Sequence, residues 1–275
     1  MAGKLEDKVA FITGAARGQG RSHAVRLADE GADIIAIDVP KHIVGLPYEP
    51  ATAADLAETV RQVEALGRRI VAAEADVRDL AAMQAAVDAG VAELGRLDIV
   101  LANAGISAPA PTLDMSEEHW QTMIDINLTG VWKSLKASVP QIIEGGRGGS
   151  IVITSSLAAI IVQPNIAHYS AAKGGLIQLS KVLAKELAPQ GIRVNTIHPG
   201  TVLTPMVLNE PSYRLFRPDL EHPTQEDFEE VARSMTGLPT SAIDPVDMSN
   251  AIVYLVSDDG RYVTGTSHVV SAGMF

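Results

Sequence analysis

Three glycines, Gly14, Gly18 and Gly20, separate the apolar run Lys8-Val9-Ala10-Phe11-Ile12 from an amphipathic stretch over 21–30. A short apolar run followed by residues of helical period reads as strand, turn, helix. Glycine at these positions lets the backbone turn tightly and approach a bound group. The helix beyond offers free N–H groups and the positive end of its dipole to an anion such as a pyrophosphate. The spacing is Gly-X-X-X-Gly-X-Gly, which differs from the Gly-X-Gly-X-X-Gly dinucleotide fingerprint. Any one of the three could serve a plain structural turn. Together, after a strand and before a helix, they constrain the chain to begin with a β-α unit built around a phosphate-sized gap.

The same alternation continues along the chain. Further strands are expected over 33–37, 69–74, 97–102, 151–154, 192–197 and 266–270, and helices over 52–66, 79–94, 116–141, one bearing Tyr169 and Lys173 and running to 188, and 246–257. Strands that alternate with helices predict an α/β fold, a Rossmann-type doubly wound parallel sheet of about seven strands in a single domain. The core is carried by Ala, Val, Ile and Leu, since aromatics make up only 4% of a chain that is 47% hydrophobic. That suits helices packed on a parallel sheet. A net charge of −11 argues against nucleic acid or an anionic membrane as the main partner. The absence of Cys excludes disulfides, thiolate metal sites and a thiol nucleophile. No leader pattern and no apolar run approaching the roughly 20 residues of a membrane span is visible, so a soluble cytoplasmic protein is expected. His42, His168 and His198 offer no ligand pair at i,i+4 and no acidic cluster completes one, so no metal is expected.

Chemistry is most explicit between Ser156 and Lys173. Tyr169 and Lys173 stand four residues apart, hence on one face of a helix. A tyrosine is too weak an acid, at about pKa 10, to act as a base at neutral pH; an adjacent ammonium stabilises the phenolate and lowers that value. Ser155 and Ser156 end the run Ile151-Val152-Ile153, where a parallel strand delivers side chains to a site. These groups suit proton exchange with a substrate oxygen in alcohol/ketone redox chemistry.

Ser156, thirteen residues before Tyr169 and with Lys173 four beyond it, resembles the pattern of the short-chain dehydrogenase/reductase superfamily, and the resemblance covers nearly the whole chain. It implies that Tyr169 is the general acid/base and that Ser156 hydrogen-bonds the substrate oxygen. Lys173 would lower the tyrosine pKa and bind the nicotinamide ribose. Asn127, in Asp125-Ile126-Asn127-Leu128, would support a water that links the lysine to solvent; the alternative is an asparagine facing solvent from mid-helix.

The implied cofactor is NAD, held by Gly14, Arg17, Gly18, Gln19 and Gly20 and then by groups at successive strand ends. Asp38, about twenty residues beyond the turn, can accept from the adenosine ribose hydroxyls and would repel a 2′-phosphate; it could also simply cap its strand end. Arg17 cuts the other way, because family members that prefer NADP often carry a basic residue there, unless it is solvated or paired. Asp76 and Val77 would lie by the adenine, or Asp76 would cap the next helix. Asn103-Ala104-Gly105 would line the middle of the cofactor site, with Asn103 either contacting cofactor or tying neighbouring strands together. Pro199, Gly200, Val202 and Thr204 would reach the nicotinamide carboxamide, and Tyr169 and Lys173 complete the set.

Residues 40–50 interrupt a connection that usually takes two to six residues. With Ile43, Val44, Leu46 and Tyr48, this insertion is expected to cover the adenosine end of the cofactor, the alternative being a longer loop. Together with Gly18-Gln19-Gly20-Arg21-Ser22-His23-Ala24, it resembles a carveol dehydrogenase-like subfamily associated with the redox carrier mycofactocin, whose members hold their nicotinamide cofactor without ready exchange. That implies an external redox carrier as partner. Residues 205–240, rich in Pro and apolar side chains, are expected to form an irregular lid over an apolar alcohol or ketone, and 271–275 a tail. The family resemblance also suggests a homotetramer, with Val131, Leu135, Val139, Leu176 and Leu179 as interface candidates. Two rivals remain: an NADPH-dependent ketoacyl or quinone reductase, and a nucleotide-sensing regulatory protein on the same fold.

Overall fold

A computed structural model describes residues 3–39, 41, 43 and 45–274. Seven parallel strands form one sheet in the order β3-β2-β1-β4-β5-β6-β7. They are β1 (Val9–Thr13), β2 (Asp33–Asp38), β3 (Ile70–Glu74), β4 (Ile99–Ala102), β5 (Gly149–Thr154), β6 (Ile192–Pro199) and β7 (Ser267–Val270). The chain starts in the middle of the sheet, winds outward through β2 and β3, and returns to wind the other way from β4. The reversal lies between β1 and β4, whose register pairs Ala10 with Ile99 and Ile12 with Leu101. Loops leaving the two strands there diverge to opposite faces and open a crevice at the carboxyl edge.

Burial on both faces follows from the strand period of two. Val9, Phe11, Ile35 and Ile37 enter one core layer, packed by α3 (Leu80–Leu94), α5 (Gly130–Gly145) and α6 (Ala167–Leu187). Ala10, Ile12, Ile34 and Ala36 enter the other, packed by α1 (Gly18–Asp29), α2 (Ala53–Glu64) and α9 (Pro245–Val256). Such strands show continuous apolar runs rather than alternation.

Three expectations change. The helix over 116–141 is not continuous: α4 (Glu117–Ile124) passes through a π-helical turn at Asp125–Thr129 before α5 begins. The segment expected to be irregular carries two helices, α7 (Glu210–Phe216) and α8 (Gln225–Met235). Asn209 caps the first, and Thr224 with Asp227 forms a capping box on the second. Pro211 stands in the first turn of α7 and Pro223 just before α8, where proline is tolerated, while Pro218 and Pro239 lie beyond the ends of α7 and α8. Finally, Val131, Leu135, Val139 and Leu176 are buried within the protomer and Leu179 is packed against the same core. The four buried residues are not free to form an interface, and Leu179 is only half-buried.

Glycine contacts give a paired stability prediction. A Cβ on Gly20 would lie 1.9 Å from the Gly14 carbonyl oxygen, a backbone atom that cannot move aside. One on Gly174, inside α6, meets nothing within 4 Å. In urea unfolding, Gly20→Ala should lose about 1–3 kcal/mol or more through overpacking. Gly174→Ala should gain roughly 0.5–1 kcal/mol, the helix penalty of glycine. Equal effects from the two substitutions would contradict the packing described.

Candidate active site

The turn after β1 is held open by its own backbone geometry and by neighbours. Gly14 and Gly18 adopt positive φ, +68° and +55°, conformations that favour glycine. A Cβ on Gly14 would press the Ala104 backbone at 2.9 Å, and one on Gly18 would press the Thr204 methyl at 3.3 Å. The first turn of α1 has no side-chain cap, and the buried Oε1 of Gln19 has no partner in the protein. The pocket mouth therefore presents unclaimed N–H groups and one unclaimed acceptor, polarity that a bound dinucleotide would satisfy.

Asp38 ends β2 and does more than cap it. Its two carboxylate oxygens accept N–H groups from Ala16 at 2.8 Å and Val39 at 2.7 Å, tying the glycine turn to the neighbouring strand. Burial nevertheless raises its pKa, against those two hydrogen bonds and the nearby charge of Arg17. The Arg17 guanidinium donates to the Glu49 carbonyl of the insertion. Asp76 is bound by its neighbour Arg78 at 2.6 Å, and Asp79, not Asp76, caps α3.

Asn103 ties strands together. Its Nδ2 donates to the Thr13 carbonyl at 3.0 Å, and its Oδ1 accepts from Thr154 at 3.4 Å. The buried Thr13 hydroxyl in turn accepts the N–H groups of both Asn103 and Ala104 at 3.0 Å. These contacts tie β1, β4 and β5 together, one of the two readings open for Asn103, while the residue also lines the cleft.

The reactive groups converge where β5 meets α6. Ser156 Oγ accepts the Ala158 N–H at 3.1 Å, and its one proton is directed to the neighbouring Tyr169 phenol. Tyr169, on the first turn of α6, faces the cleft; burial raises its pKa and the Ser156 hydroxyl works to lower it. Lys173 Nζ donates to the Thr154 carbonyl at 2.8 Å and stands 5.8 Å from the centre of the Tyr169 ring. Burial pulls that ammonium down to about 7. Beside this lysine, expected to act on the phenol, the hydroxyl of Ser156 also works to lower its pKa.

Asn127 lies buried in the π-helical turn rather than facing solvent. Its Oδ1 accepts the Ile106 N–H at 3.0 Å, and its Nδ2 donates to the Ile106 carbonyl at 3.0 Å and to the Met123 sulfur. Gly105 makes room for this: a Cβ there would lie 2.6 Å from Asn127 Oδ1 and 3.2 Å from Lys173 Nζ.

Every residue expected to touch cofactor or substrate lines one cleft of about 740 Å³, among them Gly14, Asp38, Val77, Ala104, Asn127, Ser156, Tyr169, Gly200 and Thr204. The insertion lines it too, and reaches further than the adenosine end. Tyr48 accepts the Ser107 N–H at 3.3 Å from across the crevice, while Ile43 packs into the core. Pro40, His42 and Val44, the last expected to join the cover, lie outside the described residues. Sequence reasoning missed Ser107, Pro109, Ile161, Gln163 and Met274 in the wall. Met274, set aside as tail, is buried, and no local pattern in the sequence marked it. Among the described residues no group of three or more His, Cys, Asp or Glu could hold a metal ion.

A parallel sheet with a glycine turn at its crevice and Ser156, Tyr169 and Lys173 at the adjoining strand and helix defines a short-chain dehydrogenase/reductase, and the chain belongs to that family. A family model described as Enoyl-(Acyl carrier protein) reductase matches residues 14–275. The chain is 54% identical over 271 residues to (−)-trans-carveol dehydrogenase from Rhodococcus erythropolis, covering 98% of each. The crystal structure of carveol dehydrogenase from Mycobacterium avium in complex with NAD matches with a TM-score of 0.97 at 54% identity, over 99% of each chain. That of a short chain dehydrogenase from Mycobacterium paratuberculosis bound to NAD matches with a TM-score of 0.91 at 45% identity, also over 99% of each.

The Thr13 tie is testable without substrate. Thr13→Val keeps the shape and removes the acceptor of two backbone N–H groups, which should cost about 1–3 kcal/mol in denaturant unfolding. Unchanged stability would show that those N–H groups find water and that the tie does not hold the crevice.

Proposed function

We propose that this protein is an NAD-dependent dehydrogenase that moves a hydride between the nicotinamide and an apolar secondary alcohol or its ketone. The observation that carries the reading is the convergence of Ser156, Tyr169 and Lys173 on a cleft whose outer wall is apolar, with Ile161, Met206, Leu215, Phe216 and Met274. The residues present fit the cofactor: the glycine cradle, the uncapped α1 and the unpartnered Gln19 Oε1 meet a pyrophosphate and its neighbours. Asp38 favours NAD over its 2′-phosphorylated form, and Arg17, the residue that spoke for the phosphate, is engaged by the Glu49 carbonyl. That weighs against the NADPH-dependent rival. Relatives named as dehydrogenases weigh against a purely regulatory role.

When bound, the nicotinamide supplies the carbon that takes or returns the hydride. Tyr169 takes the alcohol proton during oxidation and returns it during reduction. Ser156 turns its hydroxyl proton from the Tyr169 phenol to the substrate oxygen once substrate is bound. Lys173 uses one N–H for Thr154 and keeps two for the ribose hydroxyls. Asn127, with both amide hydrogens engaged, keeps the second lone pair of Oδ1 for a relay water. Helices α7 and α8 form the lid and exclude bulk water from the reacting atoms.

The insertion makes the cofactor slow to leave. Ile43, Leu46 and Tyr48 form an apolar strap between Arg17 and Ser107. Exposing roughly 150 Å² of apolar surface during escape adds about 4 kcal/mol to the exit barrier, on the order of several hundredfold in off-rate. An external redox carrier of the mycofactocin type would then supply the electron acceptor for a cofactor that stays in place. The reading includes a homotetramer, for which the exposed Trp132 and Ile143 on α5 and Val182 on α6 are the better contacts, and a cytoplasmic location.

Two experiments test it. Tyr169→Phe keeps the ring and removes the transferable proton, so turnover of an apolar alcohol should fall by at least about 100-fold while nucleotide binding survives; near-normal turnover would refute the assignment. Denatured protein should release NAD, and replacing residues 40–50 with a four-residue turn should make that nucleotide exchangeable and raise activity with free NAD. Protein isolated empty, with ordinary saturation by NAD, would leave the strap without its role.

A further inference from the structure

His198 stands at the end of β6, fully buried, and none of the roles above uses it. Its Nδ1 lies 3.0 Å from the carbonyl oxygen of Ser156, and its Nε2 lies 2.8 Å from the Thr196 hydroxyl. A carbonyl only accepts, so Nδ1 carries the proton and donates to Ser156. Burial lowers the imidazole pKa, and the charge of Lys173 adds to that, which favours the neutral ring. Nε2 of a ring protonated at Nδ1 is an acceptor, so the Thr196 hydroxyl donates to it. Thr196 is itself within 3.2 Å of Ser267 Oγ on β7. A chain of hydrogen bonds thus runs from the edge strand through Thr196 and His198 to the peptide of Ser156.

We propose that His198 is a positioning residue for the reaction: by holding the Ser156 carbonyl, it aims the Ser156 hydroxyl at Tyr169 and so sets how readily that phenol gives up its proton. His198 Nδ1 and the Ala159 N–H, at 3.0 and 3.1 Å, share the Ser156 carbonyl, and the Ala158 N–H holds Oγ; one residue before, Ser155 Oγ donates to the Lys173 carbonyl at 2.8 Å. Of the contacts to Ser156 itself, only that of His198 is made by a side chain, which a substitution can remove while leaving Ser156, Tyr169 and Lys173 in place. Other titratable groups near Tyr169 are Lys173 on the same helix and Tyr48 of the insertion, and neither touches the Ser156 peptide. The inference rests on Tyr169 being the base of the proposed reaction.

The test compares His198→Leu, which fills the volume without a donor, with His198→Asn, whose amide can donate from the position of Nδ1. Oxidation of an apolar secondary alcohol is followed across pH. Activity rises with pH as the phenol ionises, and a phenolate that loses a hydrogen bond ionises at higher pH. The rising limb of kcat/KM in His198→Leu should therefore move up by roughly half a unit to one unit. Turnover at neutral pH should fall roughly 5- to 10-fold, with nucleotide content unchanged, and His198→Asn should restore both. Thr196→Val, which removes the hydroxyl that fixes the tautomer, should shift the limb in the same direction and serves if His198→Leu does not fold. A uniform loss at all pH, with the limb unmoved in both Thr196→Val and the His198 variant that folds, would overturn the proposal and leave His198 a packing residue. Tyr169→Phe is run beside them: if it alone stays active, the base assignment fails, whereas an inactive Tyr169→Phe with an unmoved limb in His198→Leu refutes only the role of His198.

Discussion

Everything at the carboxyl edge of this sheet depends on how β1 is joined to β4. The strand order reverses there, so the backbone groups beyond both strands lose the neighbours that a continuous sheet would supply. The Thr13 hydroxyl takes two of those N–H groups, and the Asn103 amide bridges back to the Thr13 carbonyl and on toward Thr154. The backbone of the β4 loop is thereby satisfied without a side chain filling the crevice, and the N–H groups at the start of α1 stay open. Gly14 stands against Ala104, so closely that a methyl group would press on the Ala104 backbone, and the gap between the two loops remains available to a flat, extended ligand.

The same edge explains how a tyrosine and a lysine can sit together in a dry site. Burial works against both charges, raising the Tyr169 phenol and lowering the Lys173 ammonium. A proton-transferring pair needs fixed polar partners to oppose that desolvation. The Thr154 carbonyl serves Lys173 and the Ser156 hydroxyl serves Tyr169, and both belong to the end of β5. Strand β5 is thus the reference against which α6 and β6 are set, and small displacements of its last residues would reach the reacting atoms directly.

Strands, the glycine turn and the spacing of Ser156, Tyr169 and Lys173 were legible because each rests on local period or on a fixed offset along one element. Less legible were features decided by partners far away in sequence. Asn127 looked like a residue in a continuous helix, yet its amide closes on Ile106 and the helix widens into a π turn around it. Val131, Leu135, Val139 and Leu176 have the helical spacing of a contact face, and spacing cannot say whether that face meets the sheet or another subunit; they meet the sheet. Prolines in the lid suggested irregular chain but flank two capped helices. The destination of the insertion depended on the Tyr48 hydroxyl reaching Ser107, fifty-nine positions along the chain. Met274 carried no signal until the fold returned it to the cleft.

Apolar walls, a polar floor and the Asp38 carboxylate at the end of β2 are what the proposed transfer of hydride between an apolar alcohol and NAD requires. The most direct measurement follows the hydride itself. Purified protein would be mixed with an apolar secondary alcohol deuterated at the carbinol carbon, then denatured, and the released nucleotide weighed by mass spectrometry. The account predicts reduced NAD carrying one deuterium, which can come only from direct transfer between the substrate carbon and the nicotinamide. Reduced nucleotide without the label, or a ketone formed while the nucleotide stays oxidised and unlabelled in the absence of any acceptor, would contradict it.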